Sequence, residues 1–112
     1  MNVQPFSPAP GATLAILPTS TSQTVTFTAA AVNLNSIRVY NGNTVPVALR
    51  TGLAGRDSLT ALVPVVGTPG DVVVPPGTVE VYSKGYPIDS VSIIAIGTAG
   101  TGNVYITPGE GQ

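Results

Sequence analysis

The chain has no cysteine, no histidine and no tryptophan. Without cysteine there can be no disulfide framework, thiolate nucleophile or zinc–thiolate site, and the redox compartment stays open. Without histidine it lacks the commonest general base and the usual partner of a serine nucleophile. Charge is scarce as well: charged residues are 8% of the 112, against roughly 25% in an ordinary soluble domain. The four cations, Arg38, Arg50, Arg56 and Lys84, are scattered, so they form no basic stripe able to displace counterions from phosphates. The aromatics (Phe6, Phe27, Tyr40, Tyr82, Tyr86, Tyr105) are too spread out for a base-stacking platform. Nucleic acid is therefore not an expected partner. Nor is a membrane, because no apolar run approaches the roughly 18 residues of a spanning helix. The opening MNVQPFSPAPGATLAIL lacks a basic n-region and breaks its apolar stretch with prolines, which argues against a signal peptide.

What is present is Val, Ile, Thr, Gly and Pro. Hydrophobic residues make up 43% of the chain, enough for one domain with a real core at this length. With so few charges, the outside must be covered by Thr, Ser, Asn, Gly and exposed apolar atoms. A net charge of −1 is close to the condition in which small proteins associate. The working form is expected to have much of its surface covered by neighbours.

Eleven prolines and thirteen glycines punctuate the chain, and the branched residues between them fit a pleated sheet. SQTVTFTA (22–29) sets Val25 and Phe27 against a hydroxyl-lined face of Thr24, Thr26 and Thr28. SIRVYN (36–41) sets Ile37 and Val39 against Arg38 and Tyr40. NGN (41–43) reads as a type I′ hairpin turn, with TVPVALR (44–50) returning and Pro46 marking an edge or outward position. SLTALVPVV (58–66) reads as a strand interrupted at Pro64, followed by a turn at GTPG (67–70). TVEVYSKG (78–85) sets Val79 and Val81 inward, with Glu80 and Tyr82 outward. SVSIIAI (90–96) reads as a central strand and NVYIT (103–107) as the last, while TLAIL (13–17) is a short apolar segment and AAAVNLN (29–35) is ambiguous. The expectation is an all-β chain: a single β-sandwich or jelly-roll-like domain over 13–107, an extended Pro-rich N-terminal arm at 1–12 and a polar C-terminal tail at 108–112. The first residues read either as a disordered terminus or as an arm, anchored by Phe6, that orders on a neighbouring subunit.

GTAGTG (97–102) looks at first like a phosphate-binding loop. A dinucleotide loop must open a helix and a Walker loop needs Lys before Ser or Thr. Here there is no Lys, and only ten residues follow Gly102. The stretch is expected to be a hairpin connection. The acids Asp57, Asp71, Glu80, Asp89 and Glu110 lie on separate turns or strands, with no pair for acid–base work. Asp57, Asp71 and Asp89 sit on loops, where calcium takes its carboxylates, but their spacing matches no calcium motif and they read as solvated turn residues. No serine or threonine has a base to activate it. The chain is expected to be no enzyme, with no cofactor and no metal. Tyr and Arg are favoured at interface centres, so Phe6, Pro8, Arg38, Tyr40, Tyr82, Tyr86 and Pro87 are the candidates for a subunit contact. The tyrosines otherwise lie partly exposed over their own sheet.

The back half, PPGTVEVYSKGYPIDSVSIIAIGTAGTGNVYITPGEGQ (75–112), resembles small proteins encoded among the structural genes of tailed bacteriophages, most of all at VYITPGEG. RVYNGNTVPVALRTG (38–52) fits the same pattern. The resemblance implies a capsid decoration, or cement, protein on the outer surface of the phage head, made in the bacterial host cytoplasm. Its implied partners are the major capsid protein and itself, as a homotrimer. Two other roles stay open: a tail or head-tail joining subunit, and a receptor- or glycan-binding β-sandwich of a tail fibre, against which the lack of Trp counts.

Overall fold

Strand-forming residues punctuated by Gly and Pro over most of the chain favour short elements, and the described residues form nine short strands. The computed structural model describes residues 6–9, 11–27, 35–83 and 88–110. The strands are β1 (Ser7–Pro8), β2 (Leu14–Ile16), β3 (Gln23–Thr26), β4 (Ser36–Asn41), β5 (Val47–Gly52), β6 (Val72–Val74), β7 (Val79–Ser83), β8 (Ser90–Ala95) and β9 (Val104–Glu110). One sheet has the order β1-β9-β4-β7, with β2 also pairing β9, and the other β3-β8-β5-β6. Every pairing is antiparallel. The chain changes sheet at every connection from β2 to β9 except β5 to β6. This is the double-sheet jelly roll. Its core joins Ile37, Val39 and Ile106 of one sheet to Val47, Val91 and Ile93 of the other, all fully buried.

The topology changes the meaning of two turns. NGN is not a hairpin, because β4 and β5 belong to different sheets, and Gly42 is not among the positive-φ glycines. It is a corner from one sheet to the other, and Asn41 and Asn43 hold it. Asn41 is fully buried. Its Nδ2 donates to the carbonyls of Val45 (3.1 Å) and Val74 (2.9 Å), and its Oδ1 accepts from the Asn43 amide at 2.9 Å. Asn43 Oδ1 accepts from the Val45 amide and its Nδ2 donates to the Gly102 carbonyl. GTAGTG is likewise a sheet-to-sheet corner, between β8 and β9, and the two corners are zipped together. Thr44 N–H donates to the Thr101 carbonyl, Thr101 N–H to Thr44 Oγ1 and Gly42 N–H to the Asn103 carbonyl. A Cβ on Gly100 would strike the Thr44 side chain, and one on Gly102 the Gly42 carbonyl. The glycines serve close backbone approach.

Three further readings change. Pro46 lies just before β5, and β5 is an inner strand between β8 and β6. Residues 58–66 form no strand; only the isolated bridge Val65↔Thr68 is present. The 53–71 segment instead lies over the outer face of the β3-β8-β5-β6 sheet. There Thr24 Oγ1 donates to the Leu59 carbonyl at 3.0 Å, Ser92 Oγ donates to the same carbonyl, and the Ala61 amide donates to Ser22 Oγ. Of the hydroxyl-lined face expected on β3, Thr24 lies beside Ser92 at the Leu59 carbonyl and Thr26 shares a hydrogen bond with Ser90, while Thr28 lies outside the described residues; Ser90 and Ser92 are fully buried. At the C-terminal end, β9 runs on through Pro108 and Gly109 to Glu110, opposite Pro8 and Ser7. Most of the ambiguous 29–35 stretch lies outside the described residues.

Candidate interaction surface

Opposite residues of antiparallel strands point to the same side, so the pairing register shows what each face carries. In the β1-β9-β4-β7 sheet, Ile37, Val39 and Ile106 face the core. The other side then carries two rows: Ala15–Tyr105–Tyr40–Val79 and Thr107–Arg38–Val81. No other layer covers this side among the described residues. Tyr40 and Tyr105 are each 41% exposed, and Val79 and Val81 are also exposed. The two tyrosine rings stack, with centroids 6.0 Å apart and planes at 9°. Beside them Thr13, Arg38 and Thr107 complete a shallow notch of about 290 Å³, in which the Thr13 and Thr107 hydroxyls share a hydrogen bond of 2.8 Å.

Of the residues expected at an interface, Arg38 and Tyr40 are thus brought together. Tyr105, their third member, sits 65 positions from Tyr40 and only the register Tyr40↔Tyr105 reveals it. Tyr82 is the reverse of its expected orientation. It lies opposite Ile37 and packs against the core, while Val79 and Val81 take the exposed side. Alternation shows that β7 has two faces without showing which is inner, and pairing with β4 decides it. Burial raises the Tyr82 pKa above its ordinary value, with a smaller push from Glu80. Phe6 and Pro8 flank or form β1, which pairs with the chain's own β9; Phe6 is half-buried and Pro8 exposed. Tyr86 and Pro87 lie outside the described residues.

A second apolar surface lies on the opposite side of the sandwich, on the 53–71 segment. Leu62 and Val65 are exposed there and Val66 wholly so, at 105%. The aspartates considered for calcium act as tethers of this segment. Asp57 accepts from the Leu53 amide, Asp71 from the Leu62 amide and Asp89 from the Ala54 amide. Asp71 is also held by Arg50 Nε, and Asp57 by Arg56. The Arg56 hydrogen bond, then the Leu53 amide, lowers the Asp57 pKa. Among the described residues no three metal-ligating side chains converge. A cleft of about 510 Å³ opens at the sheet edge beside Arg50, Asp57, Asp71 and Tyr82, but both its carboxylates are engaged by arginines. Among the described residues no helix is long and apolar enough to cross a membrane.

Compared with protein-family models, with characterised proteins and with solved structures, the chain matches none.

Proposed function

We propose that this chain is a non-enzymatic structural protein of a tailed-bacteriophage virion, a decoration (cement) protein on the outer surface of the head that bridges and stabilises major capsid protein subunits. The observation that carries the reading is the pair of exposed apolar surfaces on the two opposite sides of the sandwich, which suits a molecule that must touch more than one neighbour. Two of its arginines are engaged within the chain itself by Asp71 and Asp57, so contacts made by the exposed faces are mainly apolar and hydroxyl-rich, and salt screens them little. The resemblance at VYITPGEG points the same way. The jelly roll also serves viral capsid domains, which agrees with the reading without establishing it. The outer face around Tyr40 and Tyr105 is assigned to the capsid lattice, and self-association as a homotrimer belongs to the same proposal.

Quantitative mass spectrometry of purified particles, scaled to the major capsid protein, tests it. Copies in the hundreds are expected. A handful per particle would move the protein to the tail or the head-tail junction.

A further inference from the structure

Among the described cations, Arg50 and Arg56 each hold a carboxylate of their own chain, at 3.1 and 2.9 Å. Arg38 has no ion-pair partner among the described residues, although it stands exposed beside the tyrosine pair. The described acids are all elsewhere. Asp57, Asp71 and Asp89 tether the 53–71 segment. Glu80 lies opposite core-facing Val39, and Glu110 alternates to the side opposite Gly109, away from the Arg38 row. The outer face therefore carries one positive charge and no negative one among the described residues.

That matters once a partner covers the face. An arginine buried at an interface without a counter-charge weakens binding far more than an exposed one does. The notch beside it is lined by a guanidinium, two hydroxyls and two aromatic rings. The hydroxyls share one hydrogen bond, so one of their protons is left to donate. Its volume of about 290 Å³ is at the bottom of the roughly 300–1,000 Å³ of small-molecule sites, and suits a single protein side chain. A second copy docking face to face supplies no acid, and would bring two Arg38 side chains onto a surface that lacks one.

Resting on the reading of this face as the one that meets the capsid lattice, we propose that the notch receives an aspartate or glutamate side chain, presented within an apolar patch of the lattice subunit. Arg38 grips the carboxylate with its planar fork, and the apolar rows around it exclude water. The pair sets the register of docking, while the tyrosines and valines supply the contact area.

The test measures binding of the labelled chain to purified particles stripped of it, by co-sedimentation, for the wild type, R38K, R38E and A15Q. A15Q places a bulky neutral side chain on the same face, opposite Tyr105, and leaves the Arg38 guanidinium in place. Melting curves confirm that each variant is folded. R38E is expected to lose about 100-fold in affinity and R38K about 10-fold, with A15Q also weakened. Wild-type affinity for R38E together with a weakened A15Q overturns the carboxylate proposal and leaves the docking face standing. Wild-type affinity for both variants overturns the docking face too. If the wild type itself does not bind, the virion reading falls and the carboxylate falls with it.

Discussion

Asn41 shows how much a single polar side chain can decide. It is fully buried, and its amide answers two carbonyls and one backbone N–H at the corner between the sheets. Asn41→Ala leaves those groups buried and unpaired, at a cost of about 1–3 kcal/mol for each one that water cannot reach. Urea denaturation should show a loss of about 3 kcal/mol in total. Tyr82 is the opposite case, because its hydroxyl is buried and meets no partner among the described residues. Tyr82→Phe is therefore expected to be neutral or to stabilise by about 1 kcal/mol. The raised Tyr82 pKa means that the folded chain holds this proton more tightly than the unfolded chain. Its contribution is whole below the ordinary tyrosine value, about 10, and is lost as pH climbs through the raised value. Asp57 has the reverse sign: its lowered pKa gives a contribution present above the ordinary carboxylate value and lost as pH falls. Denaturation midpoints across pH should fall at both ends, and Tyr82→Phe should lessen the alkaline fall alone.

The element that best explains the sequence is the pair of zipped corners. Gly97 has a φ of 83° with nothing near its missing Cβ, whereas Gly102 has a φ of 101° and its Cβ would strike the Gly42 carbonyl. Gly97→Ala should cost about 1 kcal/mol, from backbone conformation alone. Gly102→Ala meets strain and collision together and should cost at least about 3 kcal/mol. Equal losses in thermal melts would show that the corners do not bear on each other. The 53–71 segment teaches a related point. Its apolar residues look like a strand in one dimension, yet three aspartates and a row of β-sheet hydroxyls hold it as a cover over the opposite sheet.

For the whole molecule, exposed apolar surface on both sides and a net charge of −1 predict association at modest concentration. Val66 is 105% exposed and Val79 47% exposed, so neither carries much of the core. The double variant Val66→Ser with Val79→Thr should raise the concentration at which sedimentation velocity detects oligomers. Its stability should stay within about 0.5 kcal/mol of the parent. A clear drop in melting temperature would place these valines in the fold rather than on its contact surfaces.

By itself the sequence determined the class of the protein. Branched residues in short alternating runs, cut by Gly and Pro, leave a packed β fold as the way to bury so much apolar surface. With no histidine and no cysteine it also withheld the commonest catalytic groups. Val25, Phe27, Ile37 and Val39 were legible as inward residues, because period-two alternation has a strongly apolar side there. Only the tertiary structure decided the rest. Whether NGN and GTAGTG are hairpins or corners depends on which strands pair, and pairing is non-local. The same holds for β7, where Val and Tyr compete for the inner face and the partner Ile37 settles it. Tyr105 joins Tyr40 and Arg38 for that reason as well: a strand 65 residues away supplies it, and hydrogen-bond register, not spacing along the chain, brings the three together.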